Sequence, residues 1–235
     1  MTVIRKITRP KLTKLVADRL GATIRAGNLA PGDKLPTERE LGERFGVSRN
    51  VVREAVNELR ARGLLVTRHG SGSVVSGEVH KPVRNAMKDL LAGHAGAEGK
   101  LLEFRRILEV HIAELAAQRA TVSEIEDMDK ILTDFDAAKP NLKRCAELDI
   151  AFHQALCRAA RNELFGVVVE PLNELLTVTR RRALDRSGAE VAAQSHRDLL
   201  EAVRQRDPKR AAACMGKHID MTMKSLTNMK KGARR

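Results

Sequence analysis

The sequence predicts a mainly α-helical protein of two domains. A small N-terminal domain of three helices and a β-hairpin is followed by a larger antiparallel bundle of six to seven helices. Three observations point there. The 235 residues are enough for two modest domains. Aromatic residues make up only 2%, with no Trp or Tyr, against 43% hydrophobic, so the cores are aliphatic, and an Ala- and Leu-rich chain favours helix. Helical periodicity also runs almost unbroken from residue 98 onward, whereas residues 64–76 switch to short β-like runs around a Gly-rich turn.

Residues 11–27 carry Leu12, Leu15, Val16, Leu20 and Ile24 near helical spacing, with Gly27 as a stop. The loop NLAPGDKLP follows. Thr37 offers an N-cap with Glu40 three residues on, a capping box that opens the helix TERELGERFG, which Gly46 ends. Ser48 caps the next helix, SRNVVREAVNELRARG. The runs LLVT, RHGSGS and VVS then form a hairpin. Residues 78–97 read as a linker carrying a connecting helix around Asn85–Leu91. Six helical segments are expected near 98–119, 121–137, 143–160, 163–183, 189–206 and 208–228, with Thr121, Ser123, the Lys139-Pro140-Asn141 break and Asp207-Pro208 as boundaries. The domains are therefore placed at 1–77, 78–97 (linker) and 98–229, with a basic tail at 230–235.

The 43 Lys and Arg against 30 Asp and Glu give a net charge of +13, which favours polyanionic partners, nucleic acid or an acidic membrane surface. No apolar run approaches the roughly 20 residues that span a bilayer. The basic N-terminal stretch lacks a following apolar region, so no secretory signal is expected. Cys145, Cys157 and Cys214, odd in number and far apart, make a poor disulfide framework. A cytoplasmic protein with reduced thiols is expected.

In the helix that Ser48 caps, Val52, Ala55, Val56 and Leu59 form an apolar stripe that must face a core. Arg49, Asn50, Arg53, Asn57 and Arg60 fall on an adjacent arc. Arg can pair with guanine and Asn with adenine, and a recognition helix needs such groups toward its N-terminal half, which enters the major groove. The preceding short helix and the turn at Gly46-Val47 complete a helix-turn-helix, on which Arg39 is placed to reach the flanking backbone. The tip Arg68-His69-Gly70-Ser71-Gly72 is a basic wing suited to phosphate or minor-groove contact. A pair of arginines is usually a solvated helix face; helix, turn, basic helix and glycine wing in this order point to a winged helix-turn-helix. Residues 1–80 hold 15 Lys and Arg against 8 Asp and Glu, which places +7 on this part of the chain.

The segment PGDKLPTERELGERFGVSRNVVREAVNELRARGLLVTRHGSGSVV resembles the GntR family of bacterial regulators in order and spacing. The resemblance implies DNA contacts at Arg39, Ser48, Arg49, Asn50, Arg53 and a wing around His69 and Gly70. Asn50 stands where relatives commonly carry Thr.

In the helical half, Asp149 and His153 lie four apart on one helix face, beside Leu156. His196 sits among Ala192, Leu199, Leu200 and Val203, and His218 among Ala211, Cys214, Met215 and Thr222. One histidine on an apolar face is usually a satisfied core residue. An Asp and three His converging in a bundle would instead hold a divalent transition ion with positions left open. Zinc stands first, with nickel and manganese also suited to such donors. Cys157, one turn after His153, is a competing soft donor. Arg105 lies on an inward arc with Leu101, Leu108 and Ile112, and a guanidinium there needs an anion. Glu109, one turn away, can supply it; so can a carboxylate ligand at the ion's open positions.

The segments ExRxxLE at Glu103–Glu109, LAAQRAT, DIAFHQALCRAARN, SHRDLLEAV and HID resemble the FCD ligand-binding domain of the FadR subfamily over residues 98–228. This resemblance implies metal ligands at Asp149, His153, His196 and His218, and an effector carboxylate gripped by Arg105. Members with this metal set resemble sensors of small organic or sugar acids. Together the segments predict a homodimeric, ligand-responsive regulator, a repressor, that binds a pseudo-palindromic duplex operator. The competing expectations are a metalloenzyme acting on a small carboxylic acid with a DNA-binding appendage, against which no general base or nucleophile motif is evident, and a structural nucleoid-type protein.

Overall fold

A computed structural model describes residues 10–68, 72–77, 80–94 and 96–232. By its internal contacts the chain divides into two units, Met1–Pro82 and Val83–Arg235.

The first unit contains α1 (Pro10–Arg25), α2 (Glu38–Phe45), α3 (Arg49–Ala61) and the antiparallel strands β1 (Leu65–Arg68) and β2 (Gly72–Val75). The strands pair in register from Leu65 opposite Val75 to Arg68 opposite Gly72. The anticipated caps start and stop the helices. The Thr37 side chain accepts from Glu40 N while Glu40 answers the Thr37 backbone N–H at 2.8 Å, and Gly46 ends α2 at φ 64 in the left-handed region. Ser48 accepts from Val51 N at the start of α3. The turn between α2 and α3 is tight enough that a Cβ on Gly42 would lie 3.0 Å from the Val47 carbonyl oxygen. The α3 stripe of Val52, Ala55, Val56 and Leu59 is wholly buried, packed with Val16, Ala17, Leu20, Leu41 and Leu65. Leu12 and Leu15, placed on the buried face of the first helix by the sequence pattern, are more than half exposed, and Ala17 takes that face instead. A small residue at that position lets α1 lie close on α3.

A connecting helix α4 (Lys81–Leu91) is longer than the segment around residues 85–91 expected. The second unit continues with α5 (Ala97–Arg119), α6 (Val122–Ala137), α7 (Leu142–Ala159), α8 (Glu163–Leu175), α9 (Thr177–Ser187), α10 (Ala189–Arg204) and α11 (Pro208–Gly232). One helix expected at 163–183 is thus two. Leu176, at φ −95 and ψ 4, ends α8 and begins α9, and Pro171 already removes one backbone donor from α8. The break turns Thr179, Arg180 and Leu184 of α9 into the interior. A largely aliphatic core joins α5, α6, α7, α10 and α11 through Ile112, Met128, Leu156, Leu199 and Met215, with Phe152 among them.

Replacing Thr37 by Ala should destabilise the first unit by about 1 kcal/mol through loss of the N-cap. Urea denaturation followed by amide exchange in α2 would show it; an unchanged midpoint would mean that the cap contributes nothing.

Candidate nucleic-acid interface and metal centre

On the first unit, α3 presents one polar arc. Ser48, Arg49, Asn50, Arg53 and Asn57 are exposed, as is Arg39 on α2. Their present partners are weak: Arg39 pairs with Glu43 at 2.7 Å and Arg49 with Glu38 at 3.0 Å, and both arginine side chains remain 72% exposed. Exposed pairs of this kind contribute little and yield to a stronger anion such as phosphate. Arg53 donates to Asn50 Oδ1, so the two side chains meet at the helix surface. Arg60 departs from the expected arc. It is half-buried and donates to Asn57 Oδ1 at 3.0 Å and to Ser73 Oγ on β2 at 2.8 Å, so it ties the wing strand to the recognition helix. His69 and Gly70, the expected wing contacts, lie outside the described residues.

On the second unit, Asp149 and His153 from α7, His196 from α10 and His218 from α11 each offer one donor atom, and these atoms lie within 4.8 Å of one another. All four are buried, His196 completely. Asp149 Oδ1 is 3.2 Å from His196 Nε2, and Asp149 Oδ2 is 3.9 Å from His153 Nε2. Phe152 lies against the His196 ring. Burial pushes the pKa of all three imidazoles down, with His196 and His218 also held down by neighbouring positive charge, so they are neutral at pH 7. Neutral imidazoles beside a carboxylate are the donor set that a divalent transition ion takes.

The surrounding groups fit that use. Neither nitrogen of His196 has a hydrogen bond, although the ring is fully buried. Such an atom is costly unless something accepts its lone pair or takes its proton. His153 has Glu109 Oε2 at 2.5 Å from Nδ1, off the hydrogen-bonding direction, and His218 has Ser195 Oγ at 3.2 Å from Nδ1. Groups in those positions would orient the two rings toward an ion, were one held there. Cys157 is not one of the converging groups. Burial, with Glu109 and Glu170 nearby, pushes its thiol up to about 12, which makes it a poor ligand at neutral pH.

Arg105 is buried at 1% exposure. Its companions on the inner face of α5 are Leu102, Glu109 and Ile112, while Leu101 and Leu108 are only half-buried. Nε donates to Glu109 Oε1 at 2.6 Å, and Nη2 reaches Glu109 Oε2 at 3.2 Å and His153 Nε2 at 2.9 Å. Burial raises the Glu109 pKa, but Arg105 and His153 together outweigh it and hold the carboxyl well below its usual range. Glu109 therefore occupies one edge of Arg105, and the guanidinium also lines a cavity shared with Asp149, Arg180 and His218. The sequence pattern missed Arg180 and Asn173, which are buried beside this site. Arg180 opens an Arg-Arg-Arg run that reads as solvated surface, yet Leu176, Arg180 and Leu184 fall at spacings of one helical turn, which was the available signal.

A winged helix-turn-helix with an exposed basic recognition helix, followed by a helical unit with a buried ligand cluster, defines a class of DNA-binding regulator. Residues 12–75 match the family described as bacterial regulatory proteins, gntR family, and residues 100–221 match the FCD domain. The chain belongs to the GntR family of bacterial transcriptional regulators and carries an FCD domain. It is 30% identical over 223 residues to the HTH-type transcriptional repressor NanR of Citrobacter rodentium, covering 92% of this chain and 85% of that one. It is 29% identical over 202 residues to the HTH-type transcriptional regulator LutR of Bacillus subtilis, covering 83% and 92%. Among solved structures, a Streptococcus agalactiae GntR protein aligns with a TM-score of 0.76 at 28% identity, covering 90% of this chain and 99% of that one. The protein is therefore a transcriptional regulator of this family.

The three depressed histidines set a pH response for metal-free protein. Above about pH 6.5, the value in an unfolded chain, neither state is protonated and stability is flat. Below it, the unfolded chain binds protons that the folded one takes up less readily, so stability falls toward pH 5, by at most about 1.4 kcal/mol per pH unit for each histidine. Urea midpoints of chelator-treated protein at pH 8 and pH 5 measure this. Equal midpoints would mean that the imidazoles accept protons in the folded state.

Proposed function

We propose that this regulator is a repressor that binds a pseudo-palindromic operator as a homodimer. A small organic or sugar acid, held with a divalent ion in the helical unit, tunes its affinity for DNA. The observation that carries the proposal is the buried convergence of Asp149, His153, His196 and His218 beneath a cavity that Arg105 also lines. Asp149 and the three histidines would hold the ion, zinc first by its donor set, with nickel and manganese as alternatives. The ion would supply Lewis acidity toward a carboxylate oxygen. Arg105, paired with Glu109, grips that carboxylate through its remaining donor capacity, and the aliphatic wall excludes water.

One recognition helix covers only a half-site, so two copies account for a palindromic operator. Arg49, Asn50 and Arg53 read base edges, while Arg39, Ser48 and the wing around His69 and Gly70 hold the backbone. Phe104 and Ile107, three apart on α5 and exposed, give the helical unit an apolar strip that a second copy can cover. The name of the NanR relative supports repression. Acid binding alters DNA affinity to the extent that it favours one of two dimer states, with α4 as the covalent connection. The cytoplasm suits such a protein, and no described helix is long and apolar enough to cross a membrane.

Selection of binding sites from random duplex DNA should return an inverted repeat. Arg53→Ala should weaken its binding by about 1–3 kcal/mol without loss of fold. Metal analysis should find one divalent ion per chain, lost in His196→Ala. Failure to enrich any repeat would sink the operator proposal. An operator affinity that neither metal removal nor a panel of small acids moves would sink the sensing proposal.

A further inference from the structure

Arg180 is the charged residue at this site that neither metal ligation nor the Arg105 grip uses. Its side chain is buried at 4% exposure and lines the same cavity as Arg105. One terminal nitrogen donates to Asp149 Oδ2 and the other to Asn173 Oδ1. Two donors remain: Arg180 Nε and Asn173 Nδ2 are buried with no acceptor. Asn173, at 1% exposure, is buried even more deeply than Arg180. Buried donors left unmet are costly, and two of them on hydrogen-bonded side chains, of which Arg180 lines the cavity, call for an oxygen-bearing anion.

The charge balance points the same way. Among the described residues of the helical unit, the buried ionised groups are Arg105, Glu109, Asp149 and Arg180, which cancel as two pairs. A divalent ion on Asp149 adds two positive charges to an interior that tolerates none unpaired. One carboxylate offsets half of that. A ligand with two anionic groups offsets all of it, and the cavity has a guanidinium for each group.

We propose that Arg180, supported by Asn173, is a second anion grip in the cavity that Arg105 also lines, and that the effector is a small dianionic acid rather than a monocarboxylate. This rests on the acid-sensing role proposed above and narrows it to a ligand class. Arg180 acts here as a specificity residue that touches the ligand.

The test is calorimetry on full-length, zinc-loaded protein with two matched pairs, malate against lactate and glucarate against gluconate. Each pair shares its hydroxy-acid chemistry and differs in the second carboxylate. At least one diacid should bind about tenfold tighter than its monoacid partner. Arg180→Gln should collapse that ratio toward one, and Arg180→Lys should recover part of it by restoring the charge. The wild-type ratio decides the matter even if neither variant folds. Monoacids that bind as tightly as their diacids, or a diacid preference that survives Arg180→Gln, would overturn the inference and leave acid sensing standing. Binding of none of the four acids, with operator affinity unmoved by any of them, would remove acid sensing itself and this inference with it.

Discussion

The helical unit depends on one constraint: ionised groups placed in an aliphatic interior must each be answered there. Arg105 and Glu109 on α5, Asp149 on α7 and Arg180 on α9 are all at most 4% exposed, and each has an opposite charge in contact. Three neutral imidazoles complete the cluster from α7, α10 and α11. Removing one member of a buried pair strands the other charge, at about 3–5 kcal/mol. The cluster therefore holds five helices to one arrangement. A purely aliphatic core of the same volume would be no less stable.

The first unit is built on a different principle. Its core is a short aliphatic set, and its helices are delimited by local chemistry at Thr37, Gly46 and Ser48. No buried charge pair is needed, so the basic groups are free to lie on the surface. The arginines of the recognition face sit in exposed pairs that cost little to exchange for phosphate or a base edge. Arg60 contributes in another way, by bonding to Ser73 so that the wing strand keeps its place against α3.

These two designs suit a regulator of the GntR family with an FCD domain. Recognition of DNA requires exposed, weakly engaged cations, whereas the helical unit keeps its arginines Arg105 and Arg180 buried and paired with carboxylates, where exclusion of water strengthens every electrostatic contact. The same residue type, arginine, serves both ends, and burial alone separates the roles.

By itself, the sequence determined nearly all of the first unit. Its capping box, glycine stop, Ser48 cap and the Val52, Ala55, Val56 and Leu59 stripe are local signals, each readable within one or two helical turns. It also singled out Asp149, His153, His196, His218 and Arg105, because polar groups on apolar stripes stand out against an aliphatic pattern. The exposure of Leu12 and Leu15 was not legible, since which face of α1 is buried depends on the helix it meets. The break at Leu176 and the burial of Arg180 and Asn173 were decided only in the tertiary structure. An arginine in a run of three looks solvated until the fold supplies Asp149 from another helix, and that pairing spans 31 residues of sequence. Local pattern reports which groups want partners; only packing brings together the partners that are far apart in the chain.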